Sequence, residues 1–253
     1  MKLTVEGVAK HFGGNTVLRG VTFEVTEPQV CGLIGPNGAG KTTLANILDG
    51  ALPASGGSVW LNEARVDGLP PYEMALRGFG RTFQVPRPFE RMTVHENLEV
   101  PARAISAGGG KLEPGRIMEV LEFLQIEHLR SELARALSGG QKKLLELARL
   151  MILDPDFIVL DEPFAGVHPS LRETIYGFIQ RMREEGKAFI IISHDMTTIF
   201  TITERLLVLS DGVLIADGLP QAVREDPRVI AAYLGSAEHD FHLEQGDQGA
   251  HSS

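Results

Sequence analysis

The eight residues GPNGAGKT, Gly35 to Thr42, constrain this chain more than any others. An apolar run, VCGLI, leads into them and the helical pattern TLANIL follows, so a strand must turn into a helix across a glycine-rich loop. That context suits the pattern G-x-x-x-x-G-K-[ST], in which backbone N–H groups converge on phosphate oxygens and the helix N-terminus adds partial positive charge. Gly35, Pro36, Asn37, Gly38, Ala39, Gly40 and Thr43 then form the cradle. Lys41 neutralises β- and γ-phosphates, and the Thr42 hydroxyl is offered to Mg²⁺.

A second signal is FIVLDE, where Asp161 and Glu162 follow four apolar residues. Two acids emerging at the carboxyl end of a buried parallel strand stand where open α/β sheets hold their ligands. Strand alternation predicts opposite directions for the two side chains: Asp161 toward Mg²⁺, mainly through water, and Glu162 toward the γ-phosphate, where it polarises an attacking water. The plainer alternative is a solvated turn at Asp-Glu-Pro, with Pro163 ending the strand.

The remaining pattern is α/β. Short strand-like runs (LTV, VTFEV, QVCGLI, SVWL) fill residues 1–59 around one helix that begins at Lys41. From Arg81 to Leu153 the spacing turns helical in VHENLEV, IMEVLEFL and QKKLLELARLMIL. DFIVLDE and KAFIIISHD then read as strands buried on both faces, with LRETIYGFIQRMREEG as the crossover helix between them. RLLVLSDG and VLIADG meet at Asp211-Gly212, a hairpin signal. We expect one ATP-binding domain over 1–235, with a helical subdomain at about 85–153. The polar tail, 236–253, is expected to be disordered or to order on a partner.

Bulk properties exclude more than they name. With 253 residues, 43% hydrophobic and 23% charged, the chain can bury a sizeable core. A formal net charge of -9 argues against nucleic acid as a partner. The single cysteine, Cys31, permits no internal disulfide and fits a reducing compartment. No run approaches the length of a membrane span, so a membrane role would come through a partner.

LSGGQ, Leu137 to Gln141, completes a set of three. Alone it is equally a helix cap, with Ser138 at the N-cap and the glycines as a turn. Together the three motifs resemble the ATP-binding cassette family, and the resemblance covers the chain to about Gly235. It implies a P-loop NTPase fold with an N-terminal antiparallel β subdomain, a RecA-like parallel-sheet core and a helical signature subdomain. It implies ATP and Mg²⁺, and a sandwich of two subunits, identical or different, in which Ser138, Gly139, Gly140 and Gln141 grip the γ-phosphate of the nucleotide on the opposite subunit. By the same resemblance Phe12 stacks on adenine, Gln84 touches Mg²⁺ and the lytic water, and His194 contacts the γ-phosphate and positions Glu162. Singly, Phe12 reads as well as a core residue, Gln84 as a surface amide and His194 as a cap. His168 departs from the family, which mostly carries aspartate or asparagine there.

GRTFQVPRPFERMTVHENL (80–98) and DPRVIAAYLG (226–235) look most like the ATPases of branched-chain amino acid importers. That implies integral membrane permeases as partners, a periplasmic binding protein indirectly, and a place on the cytoplasmic face of the membrane held through the permease. Arg87, Pro88, Phe89 and Met92 are expected to offer an apolar floor with a cationic rim to a short permease helix. Two departures, the lack of a tyrosine in LSGGQ and a shortened SAGGGKLEPG region, leave urea or amide import and lipopolysaccharide export as alternatives; a soluble cassette ATPase, which shares the same motifs, is a rival of another class.

Overall fold

The computed structural model describes residues 2–26 and 28–234; the tail at 236–253 lies outside the described residues. The chain begins with β1 (Leu3–Phe12), β2 (Asn15–Val25) and β3 (Val30–Ile34), then α1 (Lys41–Leu48). Next come β4 (Gly56–Leu61), β5 (Ala64–Arg65), α2 (Pro71–Leu76) and β6 (Phe79–Arg81). Three helices follow: α3 (Val94–Ala107), α4 (Arg116–Phe123) and α5 (Gly139–Leu153). β7 (Phe157–Asp161), α6 (Pro169–Glu184), β8 (Ala188–Ile192) and α7 (Met196–Ile202) lead to β9 (Arg205–Ser210), β10 (Val213–Gly218) and α8 (Pro220–Arg224). No helix among the described residues is long and apolar enough to cross a membrane.

The described residues form two compact units. One comprises Thr26–Gln29 and Leu69–Ser193, the other Lys2–Val25, Val30–Gly68 and residues 194–234. In the latter, an antiparallel sheet runs β2-β1-β4-β5. The sequence run LTV ends where alternation breaks, at Glu6 and Gly7. The strand nevertheless continues to Phe12, because Gly7 at φ 58 absorbs a register shift between Val5 and Val8 and returns Val8 to the buried face. Parallel β3 and β9, with β10 antiparallel to β9, make the second sheet region of this unit. Asp211 (φ 48) and Gly212 (φ 76) both take left-handed conformations, the requirement of the two-residue turn that the dipeptide announces.

The other unit is built on parallel β6, β7 and β8, with β7 in the middle. Every residue of β7 and β8 is buried, which explains their unbroken apolar character. α6 crosses between them and buries Thr174, Ile175, Phe178, Ile179 and Met182, one helical face; Phe178 meets Phe189 of β8 edge-on at 6.2 Å. The expected helical segment at about 85–153 is carried by α3, α4 and α5, in the same compact unit as these strands. α3 starts at a reciprocal cap: the Glu96 N–H donates to the Thr93 hydroxyl at 3.1 Å and the Thr93 N–H to the Glu96 carboxylate at 2.7 Å.

α6 starts less well. His168 occupies its N-cap, and its Nδ1 accepts the Ser170 N–H at a long 3.4 Å. A carboxylate would make a shorter, charge-assisted bond and favour the positive end of a sixteen-residue helix. Replacing His168 by Asp is expected to stabilise the protein by about 1 kcal/mol, a rise of about 2–4 °C in melting temperature. Unchanged or lower melting in a thermal scan would contradict this.

Candidate functional site

The Gly35–Thr42 loop has the conformation its glycines foreshadow. Gly35 sits at φ 150, and a Cβ there would lie 1.9 Å from the Leu209 carbonyl oxygen, so no other residue fits. The neighbouring strand end reinforces the turn: the Gly212 N–H donates to the Ala39 carbonyl at 3.1 Å. The Lys41 ammonium bends back over the loop, donating to the Gly35 carbonyl at 2.7 Å and the Pro36 carbonyl at 2.8 Å. Thr42 is exposed and Thr43 half-buried at the start of α1, while Leu44, Ala45, Ile47 and Leu48 anchor that helix in the core. A cationic group thus stands at a glycine-rich loop that opens a helix, a combination suited to a polyphosphate.

The loop has a support that the motif does not reveal. Tyr233, in the run DPRVIAAYLG, is half-buried; its hydroxyl faces the Gly35 N–H and donates to the Met196 sulfur at 3.8 Å. An aromatic residue late in a polar-flanked run was its only signal. Upstream, Cys31 is fully buried in β3 and burial pushes its thiol up to about 12, so it is an inert core residue. Phe12 is 49% exposed at the end of β1, which excludes the core alternative, and Lys10 Nζ lies 5.1 Å from its ring centre. His194 is exposed, just after β8.

The acids are in the other compact unit. Asp161 ends β7 with its side chain 6% exposed, and its Oδ2 accepts from Arg81 at 3.1 Å; Arg81, at the end of the paired strand β6, is 5% exposed. The next residue corrects the alternation argument. Glu162 has left the strand at φ 49, so strand geometry does not set its direction; the chain turns there instead, and Ser193 Oγ donates to Glu162 Oε2 at 3.4 Å. Both acids are buried, which rules out the solvated-turn alternative. The Glu162 N–H bonds the Ile192 carbonyl at 2.9 Å, and its own carbonyl accepts from Ala165 N–H and from Lys143.

At the LSGGQ segment the cap is realised. The Gln141 N–H donates to Ser138 Oγ at 3.3 Å and the Ser138 N–H to the Gln141 amide oxygen at 2.9 Å, fixing the first turn of α5. Gly139 has open space where a Cβ would stand, so close approach to its backbone from outside is unobstructed. Capping and anion binding are therefore compatible at this turn.

Residues 82–93 follow neither helix nor strand, yet two buried side chains hold them. The Glu146 carboxylate accepts the N–H of Arg87 at 2.8 Å; burial pushes its carboxyl upward against that bond. Asn97, fully buried, accepts from the Phe89 N–H at 2.9 Å and donates to the Phe89 and Thr93 carbonyls. Gln84 is exposed on this pinned segment, together with Phe83, Val85, Phe89 and Met92. Pro88, expected on the same surface, is instead buried. The Arg149 guanidinium covers one face of Phe89 at 4.9 Å.

Residues 18–165 match the model of the ABC transporter family. The chain belongs to that family. Residues 213–239 match a second model, described as branched-chain amino acid ATP-binding cassette transporter. The chain is 34% identical over 250 residues to a probable branched-chain amino acid transport ATP-binding protein, LivG, of Archaeoglobus fulgidus, covering 94% of this chain and 97% of that one. It is 35% identical over 241 residues to the lipopolysaccharide export system ATP-binding protein LptB of Escherichia coli K12, covering 95% and 99%. A crystal structure of the ADP conformation of an ATP-binding cassette superposes with a TM-score of 0.80 at 35% identity, over 93% of this chain and 99% of that one. The protein is thus an α/β ABC ATPase: it binds ATP, hydrolyses it and powers a transporter.

Proposed function

We propose that this ABC ATPase drives import of branched-chain amino acids. The observation that carries this reading is the match of residues 213–239 to a model specific to such transporters, the stretch that includes Tyr233. The LptB resemblance favours lipopolysaccharide export as the second reading, and it spans as much of the chain.

In the proposed cycle the Gly35–Thr43 loop takes the ATP phosphates, with Lys41 exchanging its carbonyl partners for β- and γ-phosphate oxygens. Phe12, exposed and apolar, stacks on the adenine. Thr42, Asp161 and Gln84 each offer an oxygen of the kind Mg²⁺ takes and would be its ligands; the ion, when bound, would supply positive charge to the phosphates. Glu162 orients the attacking water and draws on its proton, and His194 steadies the γ-phosphate. Ser138, Gly139, Gly140 and Gln141 grip the γ-phosphate of the nucleotide held by a second cassette subunit, so ATP favours a closed pair.

The pinned segment 82–93 receives a short helix of the permease. Its exposed Phe83, Val85, Phe89 and Met92 form the apolar floor, and Arg87 and Arg149 the cationic rim. Through the permease the chain works at the cytoplasmic face of the membrane. The test is uptake of radiolabelled leucine by host cells lacking this chain. Wild type should restore uptake, whereas Phe89→Asp should lower it about tenfold or more while the purified chain still hydrolyses ATP. Uptake undiminished by the deletion would refute branched-chain import; full transport by Phe89→Asp would refute the groove.

A further inference from the structure

Lys143, Glu146 and Arg149 follow one another at three-residue spacing along α5 and so share one face of the helix. Glu146 and Arg149 grip Arg87 and Phe89. Lys143 reaches a different loop, the one that follows β7. Its ammonium donates to the Glu162 carbonyl at 2.5 Å and to the Ala165 carbonyl at 2.7 Å. A flexible stem ending in three donors suits the bridging of two carbonyls three residues apart.

What those bonds hold is unusual. Glu162 has φ 49, a left-handed conformation that a residue with a Cβ keeps only when its surroundings insist on it. Its carbonyl is where the loop turns, accepting from both Lys143 and the Ala165 N–H. Lys143 is itself half-buried: burial depresses its pKa, while the carboxylates of Glu162, Glu146 and Asp161 act in the opposite sense. An apolar residue of similar length would avoid that desolvation but would leave both carbonyls without this donor.

We infer that Lys143 is a positioning residue for ATP hydrolysis, fixing the Glu162 and Ala165 carbonyls so that the Glu162 carboxylate is aimed at the attacking water. The inference rests on the role proposed above for Glu162. Without the tether the Glu162 backbone can relax toward the ordinary extended region, and the carboxylate swings away from its working direction. ATP binding, which depends on other groups, is untouched.

The test compares steady-state phosphate release, fluorescent-nucleotide affinity and thermal melting for the full chain and its variants. Lys143→Met should lose about tenfold or more in kcat, because small misplacements of a reacting group are costly. Its nucleotide affinity should stay within about twofold of wild type, the split expected when only the chemical step is affected. Lys143→Cys should show the same loss and regain most of its turnover after alkylation with 2-bromoethylamine, which restores an ammonium on a stem of similar length. Cys31, fully buried and with its thiol pushed up to about 12, is spared in the folded protein. Wild-type turnover in Lys143→Met, a parallel fall in nucleotide affinity, or no recovery on verified alkylation would overturn the inference. Failure of both variants to fold would mark Lys143 as merely structural, with the same consequence. A Glu162→Gln control separates the two levels: if it remains active, the reading of Glu162 falls and takes this inference with it. If it is inactive while Lys143→Met is normal, this inference alone falls.

Discussion

Changing Glu162 to Gln lowers steady-state ATP hydrolysis by about 10²–10³-fold and leaves nucleotide affinity nearly unchanged, the expected outcome when a general base is lost. The substitution is nearly isosteric. Glu162 is buried at 9% exposure and held by main-chain bonds to Ile192 and Ala165 that the amide side chain does not disturb. The Ser193 hydroxyl can still donate to the remaining amide oxygen. What disappears is the anionic oxygen that orients and deprotonates water, so the loss appears in kcat. Phosphate release measured beside nucleotide titration checks both halves. A variant that hydrolyses ATP at the wild-type rate would remove Glu162 from the mechanism.

The second large effect concerns stability. Arg81 and Asp161 form an ion pair across neighbouring strand ends with only 5% and 6% of their side chains exposed. Arg81→Met removes the countercharge and leaves a carboxylate in a dry site, a change that costs about 3–5 kcal/mol. That is a large fraction of the stability of a typical domain and corresponds to a fall of about 10 °C in melting temperature. Arg81→Met combined with Asp161→Leu should recover most of the loss, since apolar replacement of a whole buried pair is often neutral. Urea titration of the three proteins decides the matter. A single variant as stable as wild type, or a double variant no better than the single, would show that the pair is not what stabilises these strand ends.

Arg81 also marks the limit of what could be read directly. It stands beside the segment that carries Gln84, and nothing in GRTFQ points to Asp161, eighty positions away. Strand β6 is three residues long and α2 is six, too short for periodicity to register. Their form is decided by pairing with β7 and by local packing. β1 and β2 outrun their apolar runs for a related reason: two exposed residues stand side by side at Glu6-Gly7 and at Arg19-Gly20, which breaks the two-residue alternation that marks a strand. The turn at Glu162 defeated the alternation rule in the same way.

The loop at Gly35–Thr42, the cap at Ser138, the hairpin at Asp211-Gly212 and the buried runs of β7 and β8 were legible because each depends on a few adjacent residues. Local φ/ψ preferences and side-chain reach decide such features before any distant contact forms. The Arg81–Asp161 pair, the Glu146 and Asn97 bonds that shape residues 82–93, and the grip of Lys143 on the Glu162 turn were decided only by tertiary structure. Each joins groups far apart along the chain or satisfies irregular backbone, and the need for such a bond arises only once burial has removed water from both partners.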